Sequence, residues 1–202
     1  MPTIETIIDA SGQTTYVNGA ARLTLDGTGV TVAGTFTGGG SSGGGGSGGY
    51  ATGVRQIVMA QTGTQASGTG TIPYDNTIPQ ITEGWEVLTC SITPQSATST
   101  LYVCGIVNCS SSFAGAATVA MAIFRDATAN SLGTSFVNCP FQYGNICIVG
   151  QVKVTSGSTS ATTFRMRIGG NVGTTYANGQ QAAGAVFAGN SATTLVVMEV
   201  GA

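Results

Sequence analysis

The sequence predicts an all-β protein, built as a two-sheet sandwich or jelly roll, and three observations carry that prediction. Apolar residues alternate with period two along a series of runs. Segments rich in Ser, Gly, Asn and Thr separate the runs, as turns require. No window shows the three-and-four spacing of an amphipathic helix with a polar face.

In the N-terminal piece, residues 1–37, three short β-prone runs stand out: IETII at 4–8, ARLTL at 21–25 and VTVAGTF at 30–36. Ser11-Gly12, Asn18-Gly19 and Asp26-Gly27 supply turn signals around them. So short a stretch cannot bury a core of its own. It is expected to pair with the same segment of other subunits, or with an edge on a larger particle. Residues 38–49, GGGSSGGGGSGG, offer no side chain that packs and read as a flexible linker. Their flanks, VTVAGTFT and YATGVRQIV, favour a native hinge.

The main domain, residues 50–202, carries eight predicted strands at 54–61, 85–93, 99–109, 117–126, 131–138, 145–155, 161–168 and 193–200. The clearest is Phe164-Arg165-Met166-Arg167-Ile168, which sets three apolar side chains on one face and two guanidinium groups on the other. About eight strands in such a length suit two packed sheets. Residues 169–192, rich in Gly and Ala without alternation, are expected to form an exposed loop.

Composition narrows the function. Charged residues are 7% of the chain, against about 25% in ordinary soluble domains. Gly supplies 32 of 202 residues, roughly twice the usual share. With 42% hydrophobic residues a core can form, so this is not a disordered composition. A surface of Ser, Thr, Asn, Gln and Gly gives weak electrostatic protection against association, which favours an oligomer. Six dispersed cations and a net charge of −2 exclude a phosphate-binding patch, so no nucleic-acid partner is expected. No run approaches the length of a membrane-spanning helix, so no membrane insertion is expected. MPTIETIIDASGQTT lacks the basic and apolar regions of a secretory signal, which predicts folding in the cytosol.

Five cysteines, Cys90, Cys104, Cys109, Cys139 and Cys147, form no C-x-x-C pair, and there is no histidine. Zinc sites use short-spaced pairs of such ligands, so buried thiols are expected in place of metal or disulfide roles. The missing histidine also removes the usual base for a Ser or Cys nucleophile. Asp75, Glu83 and Glu86 are the one local group of acids, and turn or strand-entry roles account for them better than a glycosidase pair. Gly38–Gly49 lacks the Lys-Ser/Thr of a phosphate loop, and no calcium loop surrounds Asp75 or Asp126. The expectation is a protein that is not an enzyme, with no catalytic residue, metal or cofactor. Arg165, Arg167 and Glu199 are candidates for charge pairing on a subunit axis, with solvent-facing charges as the commoner alternative. Tyr74 and Trp85 flank the TIPQITEG turn; together they would suit a sugar ring, though packing is the more frequent use of a single Trp.

Three patches resemble phage tail-fibre and receptor-binding spike proteins: NGAARLTLDGTGVTVAGTF at 18–36, TIPYDNTIPQITEGWEVLTCSITPQSATSTL at 71–101 and TLVVMEVGA at 194–202. The middle patch is the most specific, through Pro73, Asp75, Pro79, Glu83, Gly84 and Glu86. The resemblance implies a homotrimeric virion protein with a tumour-necrosis-factor-like jelly-roll head and a short N-terminal β anchor or shaft. Residues 1–37 would hold a capsid or tail protein, and outer loops would meet a host-surface glycan or protein. Phe113, Phe141 and Tyr143 are the candidate receptor-contact aromatics. With one shaft-like unit and no extended repeats, the chain departs from long fibres, and a short spike or capsid fibre suits it better. Two alternatives stay open: a capsid decoration or head-fibre protein with no specific receptor, and a lectin-like binding module outside any virus.

Overall fold

The computed structural model describes residues 5–8, 14–18, 21–26, 29–33, 53–181 and 184–201. The chain divides into two units, Met1–Gly48 and Gly49–Ala202. The predicted linker at 38–49 lies outside the described residues.

In the first unit, β1 (Glu5–Ile8), β2 (Thr14–Asn18), β3 (Ala21–Asp26) and β4 (Gly29–Ala33) form an antiparallel sheet in chain order. The register pairs Asn18 with Ala21 and Asp26 with Gly29, which leaves two residues between the strands at the Asn-Gly and Asp-Gly signals. The strand β2 was not among the predicted runs. Its TTYVN is β-branched and aromatic but too short for alternation to be visible.

The second unit contains β5 (Val54–Thr62), β6 (Ala66–Gly68), β7 (Trp85–Ile92), β8 (Thr100–Ser111), β9 (Ala117–Arg125), β10 (Gly133–Cys139), β11 (Ile146–Thr155) and β12 (Thr162–Gly170). After them come the short β13 (Thr175–Ala177), β14 (Gly179–Gln180) and β15 (Gly184–Ala185), a 3-10 turn at Val186–Gly189, and β16 (Thr193–Val200). The eight long strands coincide with the eight predicted runs to within a few residues.

Their pairing is nested. The innermost pair is β9 with β10, then β8 with β11, β7 with β12, and outermost β5 with β16. Successive pairs fall in opposite sheets, β10-β9-β12-β7 and β5-β16-β8-β11, the latter extended by β13 and β6 beside the end of β8. One long hairpin rolled so that alternate pairs face each other is a jelly roll. The expected fold class is the observed one.

Between the sheets lie Leu101, Val103, Val107, Met121, Ile123, Phe164, Met166, Ile168, Leu195 and Val197, all buried. Phe164, Met166 and Ile168 point inward as their alternation requires, with Arg165 and Arg167 on the opposite face. The layer is uneven, because Gly105 and Gly150 stand directly opposite each other on β8 and β11. That gap is filled by two thioethers. A Cβ on Gly105 would lie 2.7 Å from Met166 Sδ, and one on Gly150 2.5 Å from Met121 Cε.

The β10-β9-β12-β7 sheet is buried on both sides at its centre. The strap between Thr71 and Gly84 crosses its outer surface, and Ile72 and Ile81 pack on Ala120, Ala122 and Phe124. This explains why ATVAMAIF reads as an almost unbroken apolar run.

Residues 169–192 do not form an exposed loop. Gly169 and Gly170 complete β12, and Thr175–Gly179 are buried, with β13 inserted between β8 and β6. Hydrogen bonds to distant segments permit this. Asn178, held at φ 58°, donates its side-chain amide to Thr62 O at 2.9 Å and Thr64 O at 3.2 Å, and accepts the Thr193 hydroxyl at 2.9 Å. Its polar groups are therefore satisfied without water.

Candidate assembly face

Among the described residues no element covers the outer surface of β5-β16-β8-β11, and register places its side chains in rows across the four strands. One row runs Ile57, Met198, Tyr102, Lys153; the next runs Met59, Val196, Cys104, Gln151; the third runs Gln61, Thr194, Ile106, Val149. Seven of these twelve side chains are aliphatic or thioether or aromatic hydrophobes by sequence, with Cys104 as an eighth. Ile57 is 59% exposed, Met59 62% and Val149 55%. Lys153 is the one charge in the three rows. Its ammonium sits 5.8 Å from the centre of the Tyr102 ring, above a shallow depression of about 280 Å³ bordered by Cys104 and Gln151.

Strands about 4.8 Å apart and same-face rows about 6.8 Å apart give this surface an area on the order of 400 Å². Lys153, Gln151, Gln61 and Thr194 take part of that area, and the apolar remainder makes this face a candidate contact surface. The surface was not singled out from sequence. On β8, the inward Leu101, Val103 and Val107 and the outward Tyr102, Cys104 and Ile106 are both apolar sets, so alternation alone does not say which faces the core.

The residues of the specific sequence patch, Pro73, Asp75, Pro79, Glu83, Gly84 and Glu86, lie together on the other sheet, in and just after the strap. Asp75 accepts the amide and hydroxyl of Thr77 at 2.8 and 2.6 Å, which holds its carboxyl below the usual range. Pro79 O accepts the Ser131 amide at 2.9 Å, and the Glu83 carboxylate accepts the Gln80 amide at 2.9 Å. Gly84 turns the chain at φ 61°, a conformation that a Cβ disfavours. Pro73 is exposed on the strap. Glu86 pairs with Arg165 at 2.8 Å. The three carboxylates thus have three separate sets of partners.

Arg165 and Arg167 do not meet Glu199, contrary to the candidate pairing. The two arginines sit on the outer side of the β10-β9-β12-β7 sheet. There Arg167 donates to Glu83 O at 2.7 Å and Gly84 O at 2.9 Å. Glu199 lies in the other sheet on the inward parity of β16, fully buried. It accepts Gln56 Nε2 at 2.6 Å and the amides of Gln95 and Ser96. Burial acts to raise its pKa, and these donors together outweigh burial, so the carboxyl ends below its ordinary value.

Of the candidate receptor aromatics, Phe113 and Phe141 are exposed. Tyr143 is half-buried and tied in: its amide donates to Ser111 O, its carbonyl accepts Gln180 Nε2, its hydroxyl meets Gln181, and its ring packs edge-on to Tyr176 at 6.1 Å. Trp85 packs against the core and does not pair with Tyr74, whose neighbour is Phe136 at 5.2 Å. The cysteines are all free. Cys90, Cys109 and Cys139 are buried, Cys104 is half-buried and Cys147 is exposed, so the expectation of buried thiols holds for three. Burial, with Cys139 and Cys147 nearby, pushes the Cys109 thiol far up.

No protein-family model matches the chain, and no curated protein matches it. Among solved structures, it is similar to Eiger TNF from S. frugiperda, with 9% identity, 72% of this chain and 94% of that one covered, and a TM-score of 0.38. Murine APRIL gives 9% identity over 72% of this chain and 100% of that one, with a TM-score of 0.34. The VP2 subviral particle of infectious bursal disease virus gives 12% identity over 95% of this chain and 48% of that one, with a TM-score of 0.29. The jelly roll stands on its own nested strand pairing.

Proposed function

We propose that this chain is a structural virion protein of a bacteriophage. It is a homotrimeric fibre or spike, held to the particle by residues 1–37, whose jelly-roll head meets the host surface. The observation that carries the assembly is the bare apolar face of β5-β16-β8-β11, with Lys153 its one charge among the three central rows. A face without acids and with one marginal cation selects no charged partner. Another copy of the same sparsely charged head supplies the matching chemistry.

The sequence patches favour a three-fold ring over a two-fold pair. A ring whose axis runs along β5, β16 and β8 covers the face of every copy with its neighbour. It also brings every Val54 end to one pole, where a common foot can hold the particle. The viral part of the reading is supported by the sequence patches at 18–36, 71–101 and 194–202.

Electron microscopy of the particle encoded with this chain tests the reading. Three-fold density on the tail or capsid that disappears when the gene is deleted is the expected result. A particle with no such density, or a chain found only off the particle, overturns it. If deletion leaves adsorption to cells intact, the head decorates the particle and has no receptor.

A further inference from the structure

We infer that the groove bordered by the touching rings of Tyr74 and Phe136, on the sheet opposite the assembly face, binds a neutral sugar ring of a surface glycan against the outward sides of those rings. This deepens the host-contact part of the function proposed above.

The groove, about 220 Å³, is bordered by the strap and by β10, with Ala120 beneath. Tyr74 is 62% exposed and Phe136 52% exposed, and their ring planes are inclined at 58°. Rings that served only to fasten the strap would be covered. Ile72 and Ile81 already do that work on Ala120 and Phe124. Two ring faces therefore stay available at the mouth of a cleft, where the apolar C–H face of a pyranose can stack.

The polar groups fit the hydroxyl rim of the same ligand. Asp75 uses one oxygen, Oδ1, for both bonds from Thr77; among the described residues, Oδ2 receives no protein donor. It is free to accept a sugar hydroxyl. Thr77 and the exposed Thr134 also border the cleft. Among the described residues no Lys or Arg lines it, so a phosphate or acidic sugar finds no counter-charge there. A volume below the roughly 300 Å³ of the smallest drug-sized pockets suits a single ring.

Saturation-transfer NMR of the full chain with the methyl glycosides of glucose, galactose, mannose and N-acetylglucosamine tests this, at millimolar concentration. Transfer to the ring C–H protons of at least one is expected. Phe136→Ala and Tyr74→Ala should each weaken that binding about tenfold, the scale of one lost aromatic contact. Asp75→Asn should weaken it less, with thermal unfolding unchanged. Absence of transfer from all four glycosides overturns the proposal, as does transfer that survives both ring substitutions. Displacement of the sugar by tetramethylammonium at lower concentration would reassign the groove to a cation and overturn it too. A failure here in a chain that is still trimeric refutes the sugar site alone, whereas loss of the trimer refutes the assembly.

Discussion

The Glu199 carboxylate accepts the backbone amide of Gln95 at 2.9 Å, across 104 residues of sequence. That contact fastens the last strand to the loop between β7 and β8. It also shows that β16 is apolar on both faces and buries its one acid: Leu195, Val197 and the charged Glu199 face inward, while Val196 and Met198 face outward. A strand that buries its acid and displays its apolar side chains has two partners, one within the fold and one outside it.

Replacing Glu199 by Ala leaves the amides of Gln95 and Ser96 without their acceptor and the Gln56 side chain with Thr93 O alone. The expected cost is about 2–4 kcal/mol of unfolding free energy, read from urea midpoints at neutral pH. The pH dependence follows from the depressed carboxyl. Because the folded pKa lies below the unfolded one, the stabilisation is complete above the unfolded value, near 4.3, and is lost as pH falls through the folded one. Glu199→Gln should flatten that acid limb.

By contrast, Glu86→Gln should change stability by less than about 1 kcal/mol, because its partner Arg165 and the pair itself are substantially exposed. Urea unfolding in low and high salt checks this. A large loss in Glu86→Gln would mean that the strap depends on the ion pair more than on its backbone hydrogen bonds.

At Gly105 the added bulk of Val would enter space occupied by Met166 Sδ. Gly105→Val should destabilise the sandwich by about 1–3 kcal/mol through overpacking. Restoring volume with Met166→Ala in the same chain should recover part of the loss, as a double-mutant cycle would show.

Thiol labelling distinguishes the faces. Cys109, buried and with its thiol pushed up, should react only on unfolding, whereas exposed Cys147, one row beyond Val149 at the edge of the same face, should react in the folded single chain. Cys104, half-buried in the isolated chain, lies in the middle row of the assembly face. It should be protected in the wild-type assembly and become reactive in Met198→Lys, which places a charge beside it. Mass spectrometry after brief alkylation reads all three.

Much of this was legible in the sequence. Phe164-Arg165-Met166-Arg167-Ile168 defines its own inward face, because polarity alternates with parity. The residues around Thr175–Gly179 did not announce their burial. Their Gly, Ala and Asn content looks like a loop, and the Asn178 hydrogen bonds that allow burial join segments more than a hundred residues apart. Tyr74 and Phe136 are likewise brought together only by the strap crossing β10. Glu199 misled for a related reason: a charge on a strand is expected outside, and its three donors come from β5 and a distant loop. The assembly face was hidden because both sides of β8 are apolar.

The mass of the full chain in solution tests the central claim most directly. Sedimentation velocity at micromolar concentration should give one species of about 60 kDa, three times the 20.1 kDa of one chain. Met198→Lys, a substitution on an outward-facing strand position, should shift it toward the single chain without unfolding it. A folded wild-type species at 20.1 kDa would contradict the account.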